Sequence, residues 1–159
     1  MKHLDSISKG EDVYSPEYLI NGTGISVPKA KFVPSNKIVI GAAFYGRTAP
    51  FASKNDAKLG GKLTTTLSKT YSYTEIEEGI KNGTYIEMYD EVACANYIIT
   101  TGANTAGRFI TYDGVESVTA KCNYVYEKEL GGIMFWDYTQ DKNGTLIIAI
   151  NNAFEKQKD

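Results

Sequence analysis

Leu130-Gly131-Gly132-Ile133-Met134-Phe135-Trp136-Asp137 is the stretch on which the reading of this chain turns. Two glycines stop a helix and lead into a short, unbroken apolar run, which ends on the only tryptophan of 159 residues with an acid beside it. Buried parallel strands read as continuous apolar runs because both of their faces are covered. An aromatic followed by a carboxylate where such a strand meets solvent suits the floor of a site, since parallel βα barrels place their chemistry at the C-terminal ends of strands. The plainer reading is a core tryptophan ending a core strand, the usual fate of large aromatics.

Upstream, Lys37-Ile38-Val39-Ile40-Gly41-Ala42-Ala43-Phe44-Tyr45 is a second unbroken run, ending in Gly46-Arg47, and predicts a second buried parallel strand. Two parallel strands need a crossover of about a dozen residues, yet roughly ninety separate these two. Between Thr48 and Asp113 the texture changes to short alternating pieces broken by Gly60-Gly61, Asn82-Gly83 and the glycines from Gly102 to Gly107, which predicts an antiparallel sheet with hairpin turns. Within it, the spacing predicts a short helix from Thr74 to Ile80, with Thr74 as N-cap and Asn82-Gly83 closing it. Asp113-Gly114-Val115-Glu116 resembles a capping box opening a helix whose Val115, Val118, Cys122 and Val125 lie three or four apart, ending at Gly131. A turn at Asp141-Lys142-Asn143-Gly144 leads to a terminal helix from Leu146 to Phe154. Residues 1–36 carry Pro16, Gly22, Gly24, Pro28 and Pro34 and read as loop with at most a short helix. The economical architecture is a strand–helix–strand unit of a parallel barrel with an α+β subdomain inserted after its first strand.

Composition narrows the partners. The length suits one domain of ordinary size, and 42% hydrophobic content can bury a sizeable core. A net charge of −2 without basic clusters offers no footprint for nucleic acid or an anionic membrane. No apolar run approaches the roughly 20 residues of a membrane span, and Met1-Lys2-His3-Leu4-Asp5 lacks the apolar stretch of a signal peptide. Cys94 and Cys122 fit no metal motif and read as buried thiols. With His3 as the only histidine, neither a His-based metal site nor a Ser/His relay has material, so no metal and no cofactor are expected. Twelve tyrosines exceed what a core requires and suit carbohydrate or interface surfaces.

Four ordered segments resemble the C-terminal part of glycoside hydrolase family 18, the chitinase family. The run from Lys37 to Arg47 resembles the family's seventh barrel strand, ending Phe44-Tyr45-Gly46-Arg47. Tyr71-Ser72-Tyr73-Thr74-Glu75-Ile76 and Tyr89-Asp90-Glu91 resemble its insertion domain. Phe109-Ile110-Thr111-Tyr112-Asp113-Gly114-Val115-Glu116-Ser117, followed by Lys121, resembles the exit from that domain, and Leu130 to Trp136 resembles the eighth strand. The implied fold is an α+β insertion domain over residues 49–113, attached to the last two βα units of a TIM barrel at 37–48 and 114–159, with 1–36 as an irregular lead-in. The implied activity is retaining hydrolysis of β-1,4 bonds in chitin, with the substrate's own N-acetyl group as nucleophile. The family's general acid lies in an Asp-x-x-Asp-x-Asp-x-Glu motif on the fourth strand, and this chain lacks that motif. The chain therefore reads as a fragment of a larger barrel, whose parent is a secreted enzyme and whose own catalytic residues number none. A chitinase-like lectin, which keeps the aromatic cleft but lacks the acid, is the alternative.

Two departures qualify the match. Met88-Tyr89-Asp90 resembles a sixth-strand motif but follows the seventh strand, which leaves Tyr89 and Asp90 a structural role. The segment before the seventh strand, Ser26 to Pro34, is short and carries two prolines where the family has a full amphipathic helix.

The resemblance implies four substrate-binding residues. Trp136 forms the floor under the sugar at the scissile bond, because the C–H face of a pyranose packs on an indole ring. Tyr45 and Arg47 line the cleft, alternation sending them to one side, with Arg47 either donating to sugar hydroxyls or neutralising a rim carboxylate. Asp137 is the weakest of the four. Tyr71, Tyr73 and Tyr112 read as insertion-domain core or cleft wall, and the acid pairs Asp90-Glu91 and Glu77-Glu78 as strand or solvated helix positions. The three sequons at Asn21, Asn82 and Asn143 are each Asn-Gly-Thr, which turn chemistry explains without glycans. Chitin or a chitooligosaccharide is the implied ligand of the parent, and apolar strand edges and faces left bare in the chain alone predict self-association.

Overall fold

In the computed structural model, which describes residues 34–67, 69–102 and 105–157, the two apolar runs pair in parallel. Strand β1 (Val39–Ala43) lies beside β7 (Gly132–Trp136), with Val39 opposite Gly132 and Ala43 opposite Trp136. One face of this pair packs on helices α2 (Val115–Glu127) and α3 (Thr145–Glu155), to which Ala42, Ile133 and Phe135 contribute. The other face is not covered among the described residues: Val39 is 51% exposed and Met134 49%. A buried parallel strand is covered on both faces; here only the helix-facing one is, with the other bare as the sequence of the chain taken alone implies.

The first run does not continue as one strand to Tyr45. It breaks at Phe44, whose amide donates to the Trp136 carbonyl (2.9 Å) and whose carbonyl accepts from the Tyr73 amide (2.9 Å). The chain then enters a second sheet as β2 (Tyr45–Pro50). That sheet is antiparallel, in the order β3-β2-β6-β5-β4, with β3 (Lys69–Ser72), β4 (Glu87–Asp90), β5 (Ala95–Gly102) and β6 (Thr105–Tyr112). Phe44 is the hinge between sheets because its ring, fully buried, stacks on Phe135 of β7 at 4.7 Å while the backbone serves both neighbours. Gly46 sits where β2 crosses helix α1 (Tyr73–Lys81): a Cβ there would lie 2.6 Å from the Ile76 side chain.

Helix α1 is not capped by Thr74. Ser72 accepts from the Glu75 amide while the Ser72 amide donates to the Glu75 carboxylate, a reciprocal capping box two residues earlier. Asn82 and Gly83 close the helix as expected, Gly83 at φ +79°. At the start of α2 no capping box forms. Gly114 is the N-cap without a side-chain bond, and the cap comes from Asn96 of β5, which is fully buried. Its Oδ1 accepts from the amides of Gly114 (3.1 Å) and Ser117 (3.2 Å) and from the Ser117 hydroxyl (2.6 Å). Its Nδ2 donates to Glu87 and Glu116, at 3.0 Å each, so every polar atom of this buried amide is satisfied. Val118, Cys122 and Val125 of α2 are buried as their spacing predicts, whereas Val115 at its first turn is exposed. Cys94 is only half-buried, and both thiols are free; burial pushes Cys122 up to about 11. Most of the lead-in 1–36, including Asn21, lies outside the described residues.

One continuous core joins the two sheets and three helices through Phe44, Ile76, Ile98, Ile110, Val118 and Leu146. No described helix is long and apolar enough to cross a membrane.

Candidate functional site

The C-terminal ends of β1 and β7 open together. Trp136 closes β7 opposite Ala43 and keeps 66% of its surface exposed, so the indole has little packing of its own. From the same edge β2 carries Tyr45 and Arg47, whose guanidinium carbon lies 5.8 Å from the Tyr45 ring centroid, a cation–π distance that keeps both on one side. A cavity of about 220 Å³ opens there, lined by Ala43, Tyr45, Arg47, Thr111, Tyr112 and Asp113 among others. Asp113 fixes its wall. Its Oδ2 accepts from the Ala43 amide (2.8 Å) and from Lys121 (2.6 Å), and Lys121 also donates to the Gly41 carbonyl (2.9 Å), which ties β1 to α2. The Tyr112 hydroxyl donates to Glu87; burial first, and then that carboxylate, push the phenol far above its ordinary pKa, so it stays protonated.

Asp137 has both of its carboxyl oxygens bonded within its own turn. It accepts from the Thr139 hydroxyl, the Thr139 amide (2.9 Å) and the Gln140 side chain (2.9 Å), and these bonds hold its carboxyl below the usual carboxylate range. They shape a single 3-10 turn, Tyr138–Gln140. Next, Asp141 is buried and accepts from the amides of Thr145 (3.0 Å), Leu146 (2.9 Å) and Ile147 (3.1 Å), capping α3 where Gly144, at φ +70°, has no side chain to do so.

Helix α1 reaches this loop from the other sheet. The Thr74 hydroxyl donates to the Gln140 carbonyl (2.9 Å) and accepts from the Lys142 amide (3.0 Å). One turn on, Glu77 accepts from Asn143 (2.6 Å) and from the Thr145 hydroxyl (2.5 Å) and pairs with Lys81 (3.0 Å). Glu77 is thus 8% exposed, where a solvated helix position was expected. Burial alone would raise its pKa, but the bonds from Thr145, Asn143 and Lys81 outweigh it and hold the carboxyl below the ordinary value. A depressed carboxyl stabilises the fold above its unfolded pKa, and that contribution is lost as pH falls through the folded value. In thermal melts, Glu77→Gln is therefore expected to be less stable than wild type at neutral pH, with the gap closing as pH falls through and below the ordinary carboxylate range. A gap that is constant or widens would contradict this account of Glu77.

The structure brings Tyr45 and Arg47 together on one cavity wall, and sets Trp136 across the β1–β7 register from Ala43 of that wall. Tyr73 and Tyr112 are core residues and Tyr71 is partly buried. Asp90 accepts from the amides of Val92 and Ala93, and Asn82 from the Thr84 amide, so both shape turns, while Asn143 is committed to Glu77. Among the described residues no three His, Cys, Asp or Glu are grouped to hold a metal ion. The exposed indole at the end of β7 offers an apolar face, and the guanidinium over the Tyr45 ring on β2 offers hydrogen-bond donors.

Residues 13–141 match the family model of the glycosyl hydrolases family 18. A chitinase of Autographa californica nuclear polyhedrosis virus is 32% identical over 156 residues, covering 94% of this chain and 26% of that protein. Chitinase A1 of Niallia circulans is 33% identical over 122 residues, covering 72% of this chain and 17% of its own length. The crystal structure of a family 18 chitinase from Cycas revoluta in complex with (GlcNAc)3 superposes with a TM-score of 0.67 at 26% identity, over 77% of this chain and 34% of that one. The chain spans about a quarter of the viral relative and less of the bacterial one.

Proposed function

The chain belongs to family 18 of the glycosyl hydrolases, and from that membership we propose that it forms the C-terminal cleft wall and sugar floor of a chitinase. In this reading β1 and β7 are the last two strands of a TIM barrel, and the antiparallel sheet with α1 is the insertion, beginning at Tyr45 rather than at residue 49. The bare face of Val39 and Met134 is where the barrel's other strands pack. The reaction is retaining cleavage of β-1,4 bonds in chitin or a related N-acetylglucosamine polymer, with the substrate's N-acetyl group attacking and an acid supplied outside these 159 residues.

The parallel register that sets Trp136 beside Ala43, two residues before Tyr45-Gly46-Arg47, carries the proposal. It gives a pyranose ring an indole to lie on and places donors at its rim. Arg47 donates to sugar hydroxyls. Asp137, with its oxygens already bonded, serves by holding the turn behind Trp136.

Titration of the chain with chitotetraose, followed by the fluorescence of Trp136, is expected to saturate with a change in emission. A flat response would remove the sugar-floor reading. In the polypeptide that carries the whole barrel, binding with turnover supports the hydrolase, whereas binding without turnover supports a chitinase-like lectin.

A further inference from the structure

We infer that helix α1 braces the loop behind Trp136, making Thr74 and Glu77 positioning residues for the sugar floor. Trp136 has 66% of its surface in solvent, so packing contributes little to its placement and the point from which the ring projects is fixed through the backbone. That backbone is gripped on two sides. Upstream, the Phe44 amide holds the Trp136 carbonyl at 2.9 Å. Downstream, the next fixed point is Gln140, bonded to Asp137 through its side chain (2.9 Å) and its amide (3.1 Å), and carrying the carbonyl that Thr74 holds.

Thr74 bonds both neighbours of Asp141, the Gln140 carbonyl and the Lys142 amide, with one hydroxyl acting as donor and acceptor. Glu77 takes the next stretch through Asn143 and Thr145. The two residues lie three apart, on one face of α1, and clamp consecutive parts of the loop from 140 to 145. These bonds span 66 to 68 positions of sequence, from a helix of the antiparallel sheet to the loop that follows the parallel pair. Neither residue touches the cavity, and neither is needed to form α1, whose cap is Ser72 and whose buried apolar contact is Ile76. Their side chains are committed outward to the loop. The antiparallel sheet and its helix therefore do more than wall a cleft: they hold the loop that follows the backbone from which the indole projects. This rests on the sugar-floor reading only for its consequence in binding; the brace itself is a statement about the loop.

The test uses Trp136 as the chain's single tryptophan. Thr74→Val keeps the shape of the side chain and removes both bonds, whereas Thr74→Ser keeps the hydroxyl. Steady-state anisotropy of Trp136 is expected to fall in Thr74→Val with the far-ultraviolet circular dichroism unchanged, and its affinity for chitotetraose to fall about tenfold. Thr74→Ser is expected to match wild type in both. Wild-type anisotropy in Thr74→Val overturns the brace, whatever the affinity. Should Thr74→Val fail to fold, Thr145→Val removes a hydroxyl on the loop side and leaves α1 intact, and its anisotropy decides in the same way. If wild type does not bind chitotetraose but Thr74→Val lowers the anisotropy, the sugar reading falls and the brace stands.

Discussion

Phe44→Ala is expected to destabilise the chain by about 3–5 kcal/mol, the range for deleting a fully buried aromatic from a core that cannot close the gap. Phe44 is fully buried, stacks on Phe135 with 5° between the ring planes, and sits at the one point where the parallel pair turns into the antiparallel sheet. A cavity there opens between two sheets, each held by its own hydrogen-bond ladder, so neither can collapse inward without breaking register. For a chain of this size the loss corresponds to a drop in Tm of about 6–20 °C. Ile86→Ala, at a site 75% exposed, is the control and is expected to change stability by about 0.5 kcal/mol or less. Comparable melts for the two variants would show that Phe44 is not the junction.

Trp136→Ala is expected to do the reverse, leaving the melt within about 1 kcal/mol of wild type while lowering affinity for chitotetraose roughly ten- to a hundredfold. The indole is mostly in solvent, so its removal uncovers little core. Covering its face with a sugar recovers about 1.5–3 kcal/mol of apolar contact, which truncation forfeits. Trp136→Phe is expected to fall between, having a smaller ring. Calorimetric titration alongside thermal melts separates the two effects. A Trp136→Ala chain that binds like wild type, or that unfolds, would return the residue to an ordinary core role.

The parts of this fold that could be read in the sequence are those governed by neighbours in the chain. The runs ending at Ala43 and Trp136 are continuous and apolar, and they pair in parallel. The terminal helix follows from Leu146, Ala149, Ile150 and Ala153, which recur at helical spacing and are buried. Tyr45 and Arg47 stay on one side because strand alternation requires it. What escaped the reading depends on distant partners. Nothing near Gly114 reveals that its helix is capped by Asn96 from another strand, and nothing near Phe44 reveals that its backbone serves two sheets. The cap of α1 was only half legible, since Ser72 with Glu75 and Thr74 with Glu77 both have the spacing of a capping box, and the choice falls to Ser72 because Thr74 and Glu77 are taken up by the loop from 140 to 145. Glu77 also carried a signal: it is four residues past Tyr73 and adjacent to Ile76, at the edge of the helix face that is buried.

The central claim is that the end of β7 and the start of β2 present an indole and a guanidinium to one sugar chain. Nuclear magnetic resonance of the Trp136 indole N–H and the Arg47 side-chain N–H, recorded while chitotetraose is added, tests it most directly. The account predicts that both signals move together and saturate at the same ligand concentration. Shifts confined to one of them, or to neither, would contradict it.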